Sequence, residues 1–309
     1  MSKLSFLLGA SFLAAACQPS VSDAAPTDTS GKPFDVAVVA DFDQPWAMTF
    51  VPNTPYALVT EKKGNLKLWQ NEGPVVDVDG VPAVAYGGQG GLGDVILHPD
   101  FAKNKLVYLS FAEAGEGGFG AAVVRGKLDV ASAKPVLTDV QVIWRQAPKV
   151  MGQGHYGHRL AFGPDGMLYI SSGERQKFDP AQDLNQNLGK IVRLTDSGLA
   201  PSDNPFYGQG SVKSQIWSYG HRNPLGIAFD AKGRLWNQEM GPAGGDELNL
   251  VKKAANYGYP TVSNGDQYDG RNIPDHAAGD GFEAPKVSWN PAISPGGLMI
   301  YSGDMFKAW

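Results

Sequence analysis

Short apolar runs recur along most of the chain, each followed by a polar turn and then a second run rich in aromatics. Trp46-Ala47-Met48-Thr49-Phe50 leads through Pro52-Asn53 to Tyr56-Ala57-Leu58-Val59, and Asp94-Val95-Ile96-Leu97 through His98-Pro99-Asp100 to Leu106-Val107-Tyr108-Leu109. Leu160-Ala161-Phe162 turns at Gly163-Pro164-Asp165-Gly166 into Leu168-Tyr169-Ile170, and Ile227-Ala228-Phe229-Asp230 precedes Arg234-Leu235-Trp236. Apolar runs of this length around Pro, Asn, Asp and Gly predict β-hairpins. Further strand-like runs, such as 66–69, 123–128, 140–144 and 190–194, lie between the copies, and a weaker fifth copy begins at Gly297-Leu298-Met299-Ile300-Tyr301. Phe50, Leu97, Phe162 and Phe229 stand about 47, 65 and 67 residues apart, the length of a four-stranded module with its loops. Modules of that kind close radially into a β-propeller. Helical periodicity is weak, with 246–255 the one modest candidate, so the expected class is all-β. The fifth copy has no partner strands before Trp309, so the propeller is expected to be incomplete at its C-terminus.

The totals agree with that picture. Of 309 residues, 39 are Gly and 22 Pro, which suits many turns and short strands. A net charge of −5 with no basic run argues against a nucleic-acid partner. Residues 1–16 read as an export signal, with a basic start and an apolar run too short to span a bilayer. Cys17, the single cysteine, stands where a lipoprotein signal places its acylated residue, and 17–33 read as a flexible tether. The protein is therefore expected to be periplasmic or exported, either lipid-anchored through Cys17 or released by an ordinary signal cut nearer Ala24-Ala25, with the propeller over 34–309.

Residues 154–176 carry a polar cluster on each side of a predicted hairpin: His155, His158 and Arg159 before it, Glu174, Arg175 and Gln176 after it. An antiparallel return brings His155 and Glu174 together, and an imidazole beside a carboxylate is a general base with its orienting partner. Arg222-Asn223-Pro224 takes the same place before the fourth repeat, so both loops are expected at one end of the channel. A guanidinium there suits an anionic ligand or a developing oxyanion, or else caps a surface turn. His221 is open between packing and site, His98 reads as structural, and His276 falls in a polar loop with no evident partner. Glu239-Met240-Gly241-Pro242-Ala243-Gly244-Gly245-Asp246-Glu247 offers the hard oxygen ligands calcium prefers, without EF-hand spacing. Gly88-Gln89-Gly90-Gly91-Leu92-Gly93 fits G-x-G-x-x-G, but a strand follows where a dinucleotide site needs a helix. It reads instead as a loop at the channel mouth presenting Gln89. No zinc spacing is present.

Taken together, GGQGGLGDVILHPDF, GHYGHRLAFGPDGMLYISSGERQ, AQDLNQNLGKIVRL with SDNPF, IWSYGHRNPLGIAF, and EMGPAGGDELN with NYGYP resemble the soluble PQQ-dependent glucose/sorbosone dehydrogenases, nearer their aldose sugar dehydrogenase branch. The resemblance runs from about Trp46 to the C-terminus. It implies a six-bladed β-propeller, of which the end of blade five and all of blade six would be missing here. It implies oxidation of an aldose at its anomeric carbon to a lactone. His155 would take the hydroxyl proton as hydride passes to the quinone, with Glu174 as its acidic partner. Arg222 and Asn223 would contact the quinone oxygens and Gln89 would hydrogen-bond PQQ. The carbonyls of Gly241 and Pro242 would ligate the calcium beside PQQ, and Asp246 and Tyr257 a separate structural calcium. Electrons would pass on to a quinone or cytochrome. A calcium-dependent lactonase, or a non-catalytic propeller binding glycans or proteins, are the competing readings.

Overall fold

The computed structural model describes residues 36–130 and 134–306. The expected signal, Cys17 and the tether over 1–33 lie outside the described residues. All the strands fall in one compact unit, Phe42–Trp309. Among the described residues they form four antiparallel sheets of four. The first holds β1 (Pro45–Phe50), β2 (Tyr56–Glu61), β3 (Asn65–Gln70) and β4 (Val75–Val78). The second holds β5 (Leu92–Leu97), β6 (Leu106–Gly115), β7 (Gly118–Asp129) and β8 (Val136–Arg145). The third holds β9 (Gly157–Phe162), β10 (Leu168–Ser172), β11 (Lys190–Leu194) and β12 (Ile216–Tyr219). The fourth holds β13 (Pro224–Phe229), β14 (Leu235–Glu239), β15 (Asp246–Val251) and β16 (Val287–Trp289).

Each sheet is a meander, and the first strands of consecutive sheets lie against one another, β1 on β5, β5 on β9 and β9 on β13. That is a propeller-like arrangement, and its core lies between the blades. Leu58, Leu66 and Leu68 meet Leu92, Leu109 and Val124 between the first two sheets. Tyr108 and Val123 meet Leu160, Ile170 and Val192 between the next two, and Tyr169 and Ile191 meet Ile227 and Leu235 beyond them. Burying these faces against each other is what holds neighbouring sheets together, since each is apolar on both sides.

Two sequence expectations fail here for lack of, or because of, pairing partners. Residues 246–255 hold no helix: 246–251 form β15, paired with β14 on one side and β16 on the other. The fifth copy at 297–301 forms no strand. It finds no ladder among the described residues and instead rests on the fourth sheet, where Gln238 Nε2 donates to Gly297 O at 2.7 Å. The only α-helix among the described residues is α1 (Phe101–Asn104), a four-residue turn, and none is long and apolar enough to cross a membrane.

Candidate active site

All four first strands slip register near their starts, at Pro45/Ala47 in β1, Leu92/Val95 in β5, opposite Ile170/Ser172 in β9, and Pro224/Gly226 in β13. A bulge re-aims the side chains around it. Trp46, Asp94, His158, Arg159 and Leu225 fall in these irregular steps. Together with Lys62, Gln89 and Met240, three of them (Trp46, His158 and Leu225) line a cavity of about 300 Å³ where the strands begin. Arg159 ties all four sheets together there. Its guanidinium stacks 3.8 Å over Trp46, lies 3.4 Å from Asp94 Oδ1 and donates to Leu225 O at 2.8 Å.

His155 sits on a strained loop. His155 and His158 both have left-handed backbone, at φ 46° and 56°, costing about 1–3 kcal/mol each for residues with a Cβ. The surroundings hold that conformation. The His155 amide donates to Gln89 Oε1 at 2.7 Å, and its carbonyl accepts from Arg175 N at 3.2 Å. Gly173 must be glycine, because a Cβ there would lie 2.1 Å from His155 O.

Glu174 is fully buried, and its Oε1 pairs with His155 Nδ1. Its Oε2 accepts from the amides of Lys177 and Phe178. Burial opposes ionisation, but the contacts to His155, Phe178 N and Arg222 prevail and hold the carboxyl below its usual range. A carboxylate only accepts, so Nδ1 carries the imidazole hydrogen and Nε2 the lone pair. Such an arrangement can serve as a base with its orienter.

Arg222 joins this group through its backbone, whose carbonyl accepts from Glu174 N at 2.8 Å. Its Nη1 donates to Met240 O at 3.0 Å and Gly241 O at 2.6 Å. Arg222 Nε, Asn223 Oδ1 and the hydroxyls of Tyr156 and Tyr259 are buried without a hydrogen-bond partner among the described residues. Orphaned buried polar atoms are costly, and Arg222 and Tyr259, which line one small void, call for a polar ligand there.

His221 and Glu239 repeat the His155–Glu174 pair one sheet on, with Nδ1 2.8 Å from Oε1. Here the imidazole is fully buried, 2.9 Å from Ser218 Oγ through Nε2 and stacked on Tyr257. Glu239 Oε2 accepts the Arg222 amide at 2.6 Å. This second pair braces Arg222, which settles His221 as packing. The near-equal separations, 19 residues from 155 to 174 and 18 from 221 to 239, were visible in the sequence and would have revealed it.

The glycine-rich loop differs from expectation in which acid it exposes. The Asp246 carboxylate is taken up by the amides of Gly241, Ile293 and Ser294 at 2.6–2.8 Å. The Tyr257 hydroxyl donates to Leu250 O at 2.7 Å and accepts from Lys252 N at 2.9 Å. Glu247, not singled out by sequence, lines a small void with Glu239, Gly241 and Pro242. Burial and the nearby Glu239 push its carboxyl well above the usual range. His276 also departs from expectation: it is buried between Glu247, at 4.0 Å, and Asp280, at 3.6 Å. A loop that reads as solvent-facing folds back over β15, which brings the ring near Glu247.

His158 is neutral. Burial pulls it down to about 3, and its Nδ1 lies 2.7 Å from Ser110 Oγ. The unfolded chain takes up that proton below about pH 6.5 while the folded one refuses it until about pH 3. Stability should therefore fall as pH drops through that window. Thermal melts of His158→Asn should show a flatter acid limb than the parent, and an unchanged slope would refute this.

Larger clefts of about 570 and 610 Å³ open elsewhere, one beside Arg125 and the other beside Phe101 and Leu128. Neither shares a lining residue with the cavity beside Gln89 or the void beside Arg222.

Comparison with known proteins decides the family. The Glucose / Sorbosone dehydrogenase family model matches residues 42–309. The chain belongs to the glucose/sorbosone dehydrogenase family. Within it, the chain is 42% identical over 282 residues to the aldose sugar dehydrogenase YliI of Escherichia coli, covering 89% of this chain and 75% of that one. The crystal structure of the apo-form soluble aldose sugar dehydrogenase from E. coli superposes with a TM-score of 0.82 at 41% identity, over 86% of this chain and 78% of that one. A PQQ-bound aldose sugar dehydrogenase from Streptomyces coelicolor gives 0.72 at 32% identity, over 84% and 72%. As a member of this family the chain is a sugar dehydrogenase, and the lactonase and non-catalytic readings fall away.

Proposed function

We propose that this chain oxidises aldose sugars at the anomeric carbon to lactones, with PQQ as hydride acceptor and calcium beside it. The observation that carries the reading is His155, whose Nδ1 pairs with the buried carboxylate of Glu174. In this role it takes the proton of the anomeric hydroxyl, and Glu174 keeps the ring oriented and offsets the imidazolium charge. PQQ, when bound, supplies a quinone that accepts the hydride. The residues present fit that group: Arg222 Nε, Asn223 Oδ1 and Tyr259 OH are the unpartnered atoms a ring bearing carbonyls and carboxylates would satisfy. Gln89, whose Oε1 accepts the His155 amide, brings its amide N–H groups to the neighbouring cavity, which shares Met240 with the void beside Arg222.

Calcium fits as well. Glu247 is a buried acid beside Glu239, and Oδ1 of both Asn237 and Asn249 lacks a partner. A divalent cation in the void that Glu239 and Glu247 line would offset the repulsion between the two acids. A cation beside PQQ draws on Glu247 and the main-chain carbonyls of Gly241 and Pro242, apart from the separate structural calcium assigned to Asp246 and Tyr257, whose side chains are hydrogen-bonded here. Gly241 O presently accepts from Arg222, so a cation on that carbonyl shares or displaces the guanidinium. The relatives include a PQQ-bound enzyme and the quinoprotein glucose dehydrogenase B of Acinetobacter calcoaceticus, 30% identical over 258 residues. On this reading the four sheets are four of six blades, and electrons leave to a quinone or a cytochrome.

Reconstitution tests the proposal. The chain with PQQ, calcium and an aldose should reduce an artificial dye, and activity should vanish when PQQ is left out. Dye reduction indifferent to PQQ would refute it.

A further inference from the structure

The cations around the cavity are not equally committed. Arg159 is paired with Asp94. Arg175 donates to Gly154 O, Phe119 O and Gly152 O and stacks on Tyr156, so each of its three nitrogens is engaged. Lys62 is different. It is half-buried and lines the cavity with Gln89, Trp46 and His158. One of its three ammonium hydrogens goes to Gly88 O at 2.6 Å, leaving two for a ligand. Among the described residues it makes no ion pair. The acids on its own hairpin are occupied: Glu61 accepts from Asp43 N and Asn65, and Asp43 accepts from Lys63.

The backbone at Lys62 is fixed from both sides. Its amide donates to Gln44 O at 3.0 Å and its carbonyl accepts from Leu92 N at 2.9 Å. Gly91, at φ +149°, comes so close that a Cβ would lie 2.1 Å from Lys62 O. The ammonium is thus held against the loop that carries Gln89, and its position is built into the fold. It comes from the first sheet, whereas Arg222 comes from the fourth, and Met240 lines both of their cavities.

We propose that Lys62 is a second cationic anchor for the cofactor, binding one of its carboxylates from the side opposite Arg222. The inference rests on the functional reading above, in which the ligand is a planar polycarboxylate quinone. A chain with net charge −5 attracts such a ligand only through local positive charge, and a cation without its own counter-ion offers the most. A neutral sugar would draw only an ordinary hydrogen bond from the same ammonium.

Titrating PQQ into the full chain with calcium, followed by calorimetry and without sugar, tests the assignment. Lys62→Met should weaken PQQ binding about tenfold and make it less sensitive to added salt, while Lys62→Arg restores most of the affinity. Lys62→Gln gives the same reading should the methionine variant fold poorly. Parent-like affinity and salt dependence in the uncharged variants would overturn the Lys62 assignment alone. Failure of the parent chain to take up PQQ would bring down the functional reading, and the Lys62 assignment with it.

Discussion

His155→Ala should lower sugar-dependent dye reduction by about 100- to 10,000-fold, the usual range for removing a general base. PQQ binding should survive, because the imidazole spends one nitrogen on Glu174 and none on holding the site's other walls. Glu174→Gln tests the same arrangement from the other side. An amide can donate to Nδ1, which favours the tautomer with its lone pair on the wrong nitrogen. It should lose most of the turnover as well, with a shifted pH profile. The amides of Lys177 and Phe178, which need an acceptor, still find the amide oxygen if the side chain turns that way. Near-parental turnover of His155→Ala would remove the base from the reaction.

Lys190→Met should be among the most destabilising single changes outside the site. Lys190 is fully buried, and its Nζ donates to Pro180 O, Ala181 O and Leu188 O at 2.6–3.0 Å. Burial pulls the amine down to about 7, yet three acceptors require three N–H bonds, and only the ammonium has them. The geometry decides for the charged form at neutral pH. Methionine keeps the volume and orphans three carbonyls, at a cost of about 3 kcal/mol or more. For a chain of this size that is a fall of about 6–12 °C in Tm. The loss should reach the site too, since Gly189 O accepts the amide of His221, the brace behind Arg222. A Tm within two or three degrees of the parent would show the carbonyls resolvated by water.

The strands were legible because the hairpin pattern is local. Apolar alternation and Pro, Asp and Gly turns act over a few residues, and β11 falls where the 190–194 run places it. The pairing of His155 with Glu174 was legible for the same reason, since one hairpin joins them. The helix read over 246–255 failed because strand pairing on two sides overrode a weak periodicity. The fifth copy failed because a strand needs a neighbour that the pattern alone does not guarantee.

By itself, the sequence determined the all-β class, the radial repeat and the residue types gathered at the loop ends, because these follow from backbone sterics and side-chain period. Only the tertiary structure decided which acids and cations remain uncommitted. Asp246 is consumed by three amides while Glu247 beside it is not, and Arg175 is spent on carbonyls while Lys62 is not. Hydrogen-bond partners come from other sheets and from bulges one residue wide, and neither leaves a periodic trace along the chain.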